Sequence, residues 1–163
     1  PFSTQDHFDQ LVLLRDFVQQ RAAFYDNWKL CTSDTGPSTD DTFEGTKFKF
    51  LLSSCGWKQA DDACGRAGGR LAVPLDEQEQ AFLVERSQQL SPGYWWIGVN
   101  DIEEEGIYVD ARGNPLPYDR WAKEQPDGKT SQNCAALSPT EKGDWQDKEC
   151  ASPFPAICRL PAN

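Results

Sequence analysis

The sequence predicts an α+β domain, and three observations lead to that class. Segments 57–67 and 76–90 carry apolar residues at helical spacing. Short apolar runs at 94–99, 107–109 and 156–160 are separated by long polar stretches rich in turn residues. Six cysteines are spread over most of the chain without the C-x-x-C pairs that zinc sites favour, so they read as three disulfides of an oxidising compartment. Helices followed by strands, around one core, give the α+β reading. A length of 163 residues with 38% hydrophobic side chains suffices for one core and asks for no second.

From the N-terminus, Leu11, Leu14, Val18, Tyr25 and Trp28 fall at alternating three- and four-residue steps between Phe8 and Trp28, interrupted at Arg21. That spacing predicts a helix with a heptad seam. Three heptads are marginal as an isolated coiled coil. We read residues 1–30 as a neck that joins copies of the chain into a homo-oligomer, with a helix folded back on its own domain as the alternative. Residues 31–42 read as a polar linker or exposed loop, because Thr32 to Thr42 holds no apolar side chain. The folded domain is then 43–163.

Within it, Phe48 and Phe50 alternate with Lys47 and Lys49, and Leu52 continues the apolar face of a half-buried strand. Trp57, Ala60, Ala63, Cys64 and Ala67 form a helix that Gly68-Gly69 stops. Asp76 caps a second helix, with Glu79 placed as in a capping box and Ala81, Phe82, Val84 and Leu90 as its apolar residues. Ser91-Pro92-Gly93 ends it, and Tyr94 to Val99, Ile107 to Val109 and Ala156 to Leu160 follow as strands.

Sixteen basic against twenty-six acidic residues leave a formal charge of -10, which repels phosphate backbones and anionic membranes and makes cations plausible partners. No nucleic acid and no membrane insertion are expected, since no run of about 18 apolar residues exists. Pro1 to Gln10 lacks a signal-peptide pattern, so the chain reads as a processed, secreted, extracellular form. Catalysis is not expected: the one histidine is His7, every cysteine is assigned to a bridge, and no nucleophile-elbow or phosphate-cradling motif occurs.

The residues from Phe43 to Leu160 resemble the C-type lectin family. Trp96-Ile97-Gly98-Val99 is similar to its core strand, Gln125-Pro126-Asp127 to its sugar-and-calcium tripeptide, and Trp145-Gln146-Asp147 to its second ligand strand. The stretches Gln125 to Cys134 and Gly143 to Cys150 resemble the tetranectin branch, which joins a trimerising helix to such a domain. The resemblance implies two helices, small antiparallel sheets and a long binding-loop region, with Cys64 bridged to Cys158 and Cys134 to Cys150. Each bridge is worth roughly 3 to 5 kcal/mol in the chain-entropy model. Cys31 with Cys55 remains by exclusion, an intermolecular bridge through Cys31 being the alternative.

The resemblance also implies calcium. Its five side-chain ligand positions fall on Gln125, Asp127, Gln132, Gln146 and Asp147, with the Gln125-Pro126 bond cis, as the family holds it. Calcium takes six to eight oxygens, and its affinity falls with ligand charge. Gln132 and Gln146 stand where sugar binders carry Glu and Asn, so two carboxylates remain, implying weak binding of about 10⁻⁴ to 10⁻³ M. The Gln-Pro-Asp order resembles galactose-type members, but Gly128 to Asn133 holds no aromatic on which a sugar could stack. Trp145 reads as loop core. Asp101 and Glu105 match part of the family's auxiliary calcium site, yet Gly128 and Asn133 fill its other positions, so this run reads as a solvated acidic turn.

Two functions follow: a calcium-dependent binder of a glycan or glycoprotein, or a lectin-like module for a protein ligand, such as a signalling or growth-factor-like module, with Lys129 as a candidate contact. An acidic matrix role is permitted by charge and supported by no repeat.

Overall fold

The computed structural model describes Cys31, residues 37–138 and residues 142–162. The neck reading of 8–28 and residues 32–36 of the polar segment lie outside the described residues. Among those described, the elements are β1 (Ser38–Phe43), β2 (Thr46–Cys55), α1 (Trp57–Arg66), β3 (Arg70–Leu71), α2 (Glu77–Leu90), β4 (Trp95–Asn100), β5 (Cys134–Leu137), β6 (Trp145–Lys148) and β7 (Phe154–Arg159), with a 3₁₀ turn at Lys129–Ser131. The α+β class holds. Where small antiparallel sheets were expected, the strands form one mixed sheet in the order β1-β2-β7-β4-β5-β6, with β3 also on β7. Its one parallel junction sets Trp96 against Ala156.

Residues 38–42 were expected in a loop and instead form most of β1. Their side chains alternate between exposed and half-buried, so the strand rests on its backbone ladder to β2 rather than on apolar burial. Glu44 (φ 47) and Gly45 (φ 83) make the turn, which needs positive φ at both positions. Asp40 pairs with Lys49 at 2.6 Å and Asp41 with Arg86 at 2.8 Å, while Phe43 stacks on Phe82.

β4 is buried along its whole length, as expected of a strand covered on both faces. Trp96 packs with α1, Cys55 and Cys158, and Trp95 packs with Phe48, Phe50, Leu83 and Trp145. Trp57 Nε1 donates to the Ile97 carbonyl at 2.7 Å and Trp96 Nε1 to that of Cys55 at 2.7 Å, which pins α1 to the central strand. Gly98 is required: a Cβ there would stand 2.6 Å from the Leu71 carbonyl oxygen.

Helix α2 departs from the expected pattern. Asp76 caps it by accepting the Glu79 N–H at 2.9 Å, but the Glu79 carboxylate reaches one residue further back, to the Leu75 N–H at 2.7 Å, and pairs with Arg159. The fully buried positions are Gln80, Leu83 and Ser87, whereas Phe82, Val84 and Leu90 are partly buried and Ala81 is exposed. Ile107 to Val109 is not a strand: Val109 makes isolated bridges to Asn100 and Pro115, and Ile107 is exposed.

The disulfides are Cys64–Cys158, Cys134–Cys150 and Cys31–Cys55. All three are within the chain, so the intermolecular alternative for Cys31 is set aside.

Candidate functional site

The loop carrying Gln125-Pro126-Asp127 is delivered by the segment before it. Trp121 bridges Trp145 in parallel, with Trp145 N–H to Arg120 O at 2.7 Å and Ala122 N–H to Trp145 O at 2.9 Å. Arg120 ties this segment to Asp144 at 2.7 Å and Glu77 at 2.9 Å. Trp145 is loop core, as expected: it is buried, meets Trp121 edge-on, and donates to the Gln80 side-chain oxygen at 3.0 Å. Gln80 in turn donates to the Gly143 carbonyl at 2.5 Å. That buried amide joins α2 to the binding loops, and a polar residue in a helix gave no sequence signal for it.

The Gln125-Pro126 bond is cis, as the resemblance implied. Glu124 (φ 64) and Lys129 (φ 46) flank the tripeptide in the left-handed region, a strained conformation for residues with side chains, of the kind that clusters at functional sites.

Strand alternation divides the expected ligand set. Trp145 and Asp147 point inward, and Gln146 and Lys148 are half-buried on the other face. Asp147, fully buried, holds the tripeptide's backbone: Oδ1 accepts the Asp127 N–H at 3.2 Å and Oδ2 accepts the Gly128 N–H at 2.8 Å. Its own N–H donates to Gln125 Oε1 at 3.2 Å. Gln146 Oε1 accepts from the Tyr94 hydroxyl at 2.8 Å and from Lys148 Nζ at 2.9 Å, and that ammonium lies 4.6 Å from the Tyr94 ring centre. Gln132 folds over Gly128 so closely that a Cβ on Gly128 would meet its side chain at 2.2 Å. Asp127 and Lys129 are exposed. Thus Gln125, Asp127, Gln132 and Asp147 gather around one backbone turn, while Gln146 belongs to a neighbouring cluster with Tyr94 and Lys148.

These residues fit a calcium ion at the tripeptide poorly. The oxygens of Gln125 and Gln146 are engaged by internal donors, and Lys148 already places a positive charge on Gln146.

The reading of Asp101 to Glu105 as a solvated turn is corrected at its first residue. Glu103 and Glu104 are exposed, but Asp101 is 1% exposed. Asp101 Oδ2 accepts the Gly106 N–H at 2.8 Å, while its Oδ1 and the Oδ1 of Asn133 are buried without a partner. Orphaned buried oxygens are costly. The Glu105 carboxyl, though exposed, is held above its ordinary pKa by lost hydration and by repulsion from Asp101 and Asp147. The Tyr108 phenol is pushed far up by burial and by the same acids, and it donates to Asp147 Oδ2 at 3.4 Å. Two orphaned oxygens and mutually repelling carboxylates are the chemistry a cation relieves.

A tryptophan-rich mixed sheet, a disulfide-braced loop and a cis-proline tripeptide define a lectin-type binding domain. The chain belongs to the C-type lectin family, whose Lectin C-type domain profile matches residues 53–160. It is 39% identical to mouse tetranectin over 63% of this chain and 53% of that protein. It is 37% identical to a tetranectin-like protein of Carcharhinus perezii over 71% of this chain and 74% of that one. Among solved structures, the cow C-type carbohydrate-recognition domain of CD23 superposes with a TM-score of 0.69 at 28% identity, covering 80% of this chain and 99% of that one. The match thus spans about half of mouse tetranectin.

Proposed function

We propose that the chain is a secreted ligand-binding module that presents the loop from Gln125 to Gln132 to a protein partner, with calcium bound beside that loop by Asp101, Glu105 and Asn133. The observation that carries the calcium assignment is the pair of orphaned buried oxygens on Asp101 and Asn133. A cation there supports the loop from the side, because the Asp101 N–H donates to the Asn133 carbonyl at 3.1 Å and Asn133 directly precedes the bridged Cys134. The internal commitments of Gln125 and Gln146 favour direct contact with a protein surface, with Lys129 as one contact, over a sugar bridged through calcium.

The second reading is calcium-dependent binding of a galactose-type glycan by Gln125, Asp127, Gln132, Gln146 and Asp147. It is favoured by the Gln-Pro-Asp order, while the cow domain, solved in the presence of a GlcNAc2Man3 oligosaccharide, supports a glycan ligand and not galactose in particular.

Calcium titration by calorimetry separates the two. We expect weak binding, with a Kd of about 10⁻⁴ to 10⁻³ M, that is lost in Asp101→Asn and kept in Asp127→Ala. Loss in Asp127→Ala with retention in Asp101→Asn returns the site to the tripeptide. A glycan array with and without chelator then tests the sugar directly.

For the neck, we propose that residues 8–28 assemble a homotrimer. Light scattering of the 18.3 kDa chain is expected to give an oligomer that becomes monomeric when Pro1 to Trp28 is removed. A monomeric full chain overturns it.

A further inference from the structure

We propose that the cleft between β3, the turn at Asp110 to Asn114 and the end of β7 is a second binding site, for a small amphiphilic carboxylate. The cleft has a volume of about 320 Å³ and is lined by Leu71, Val73 and Leu75 together with Arg70, Arg112 and Arg159. That volume lies in the range of small-molecule sites, which combine apolar walls with a few convergent polar groups.

Three arginines border this one apolar cleft, balanced by the acids Asp61, Glu79 and Asp110, so selectivity for a carboxylate rests on guanidinium donors that remain unused rather than on net charge. Arg70 and Arg159 are direct cross-strand partners on β3 and β7, a like-charge pairing that needs compensation. It comes from two acids that are almost wholly buried: Asp61, 3.5 Å from Arg70, and Glu79, paired with Arg159.

Each guanidinium has five N–H donors. Arg70 meets Asp61 through Nη1 alone, and Arg159 uses Nη2 for both Glu79 and the Val73 carbonyl. Arg112 makes no direct ion pair among the described residues, although its charge acts on the nearby Asp110 carboxylate. Asp110, the one acid in the lining, has its carboxylate taken up by the N–H groups of Arg112 and Asn114 and by the Asn114 side chain. That network fixes the turn presenting Arg112.

Donors are therefore left over beside an apolar wall, and Leu75 at its edge is 51% exposed. A carboxylate meets the guanidinium donors through charge-assisted hydrogen bonds, and an alkyl chain covers Leu71, Val73 and Leu75. A cationic or neutral amphiphile of the same length gains only the apolar part.

The test is amide NMR of the full chain titrated with octanoate, octylammonium and octanol. Octanoate is expected to give saturable shifts at Gly69, Leu71, Leu75, Ala111 and Leu160. Octylammonium and octanol should bind about tenfold more weakly or worse, as should octanoate to Arg112→Glu. Leu75→Ser, at an exposed position, should weaken octanoate and octanol alike. Binding should persist with chelator and in Asp127→Ala, which separates this site from the loop. Equal affinity for octylammonium, unchanged octanoate binding in Arg112→Glu, or shifts confined to other regions overturns the proposal.

Discussion

Asp147→Ala should lose loop-dependent ligand binding and about 2 to 4 kcal/mol of stability, read as a lower urea midpoint. The side chain removed is the acceptor for the Asp127 and Gly128 N–H groups and for the Tyr108 hydroxyl, and all are left without a partner. Losing one of three repelling carboxylates offsets a small part of this, since Asp147 raises the pKa of both Glu105 and Tyr108. Asp147→Asn keeps an acceptor oxygen and should fall between the two. A midpoint unchanged in Asp147→Ala would show that the tripeptide is held by something other than this carboxylate.

The second large effect is expected from the double variant Cys64→Ala, Cys158→Ala. These cysteines are 94 residues apart in sequence, and closing a loop of that length stabilises by about 4 to 5 kcal/mol in the chain-entropy model. Both are fully buried in the cluster holding Trp57 and Trp96, so packing is lost as well. That loss approaches the whole stability of an ordinary domain. The variant should be largely unfolded at 37 °C, with loss of near-ultraviolet circular dichroism. Removing Cys134–Cys150, which encloses a shorter stretch of 16 residues, should cost less globally and act mainly on the loop. Retention of the native near-ultraviolet signal at 37 °C by the first variant would contradict the assignment of that bridge as the main staple.

Much of the fold could be read from the chain because helix spacing and strand alternation report burial directly. Trp57, Ala60 and Cys64 recur at helical steps and are the buried face of α1. Strand β1 could not be read in this way. It is an edge strand whose ladder is made by the backbone, and a stretch of Ser, Thr and Asp looks the same whether paired or free. Helix α2 misled for the opposite reason: Gln80 and Ser87 are buried with their polar atoms satisfied, and no apolar pattern marks such positions.

The loop was legible as a family pattern and less so as a geometry. Gln125, Asp127, Gln132 and Asp147 do gather around one turn, and the cis bond is present. What the pattern could not convey is which atoms already have partners. Tyr94, just before β4, and Lys148, two residues along β6, both engage Gln146, a pairing that no spacing in the motif conveys. Asp101 looked solvated because its neighbours Glu103 and Glu104 are, yet its backbone pairs with Asn133, which draws it under the loop.

The alternation of β6 separates what the surface shows from what supports it. Residues 146 and 148 lie on the half-buried outer face, where they pair with each other and with Tyr94, while residues 145 and 147 face inward and hold the scaffold beneath the loop. A one-residue insertion in the preceding turn would exchange these two roles along the whole strand. Changes of length before β6 are therefore tolerated only where the strand's register is not disturbed.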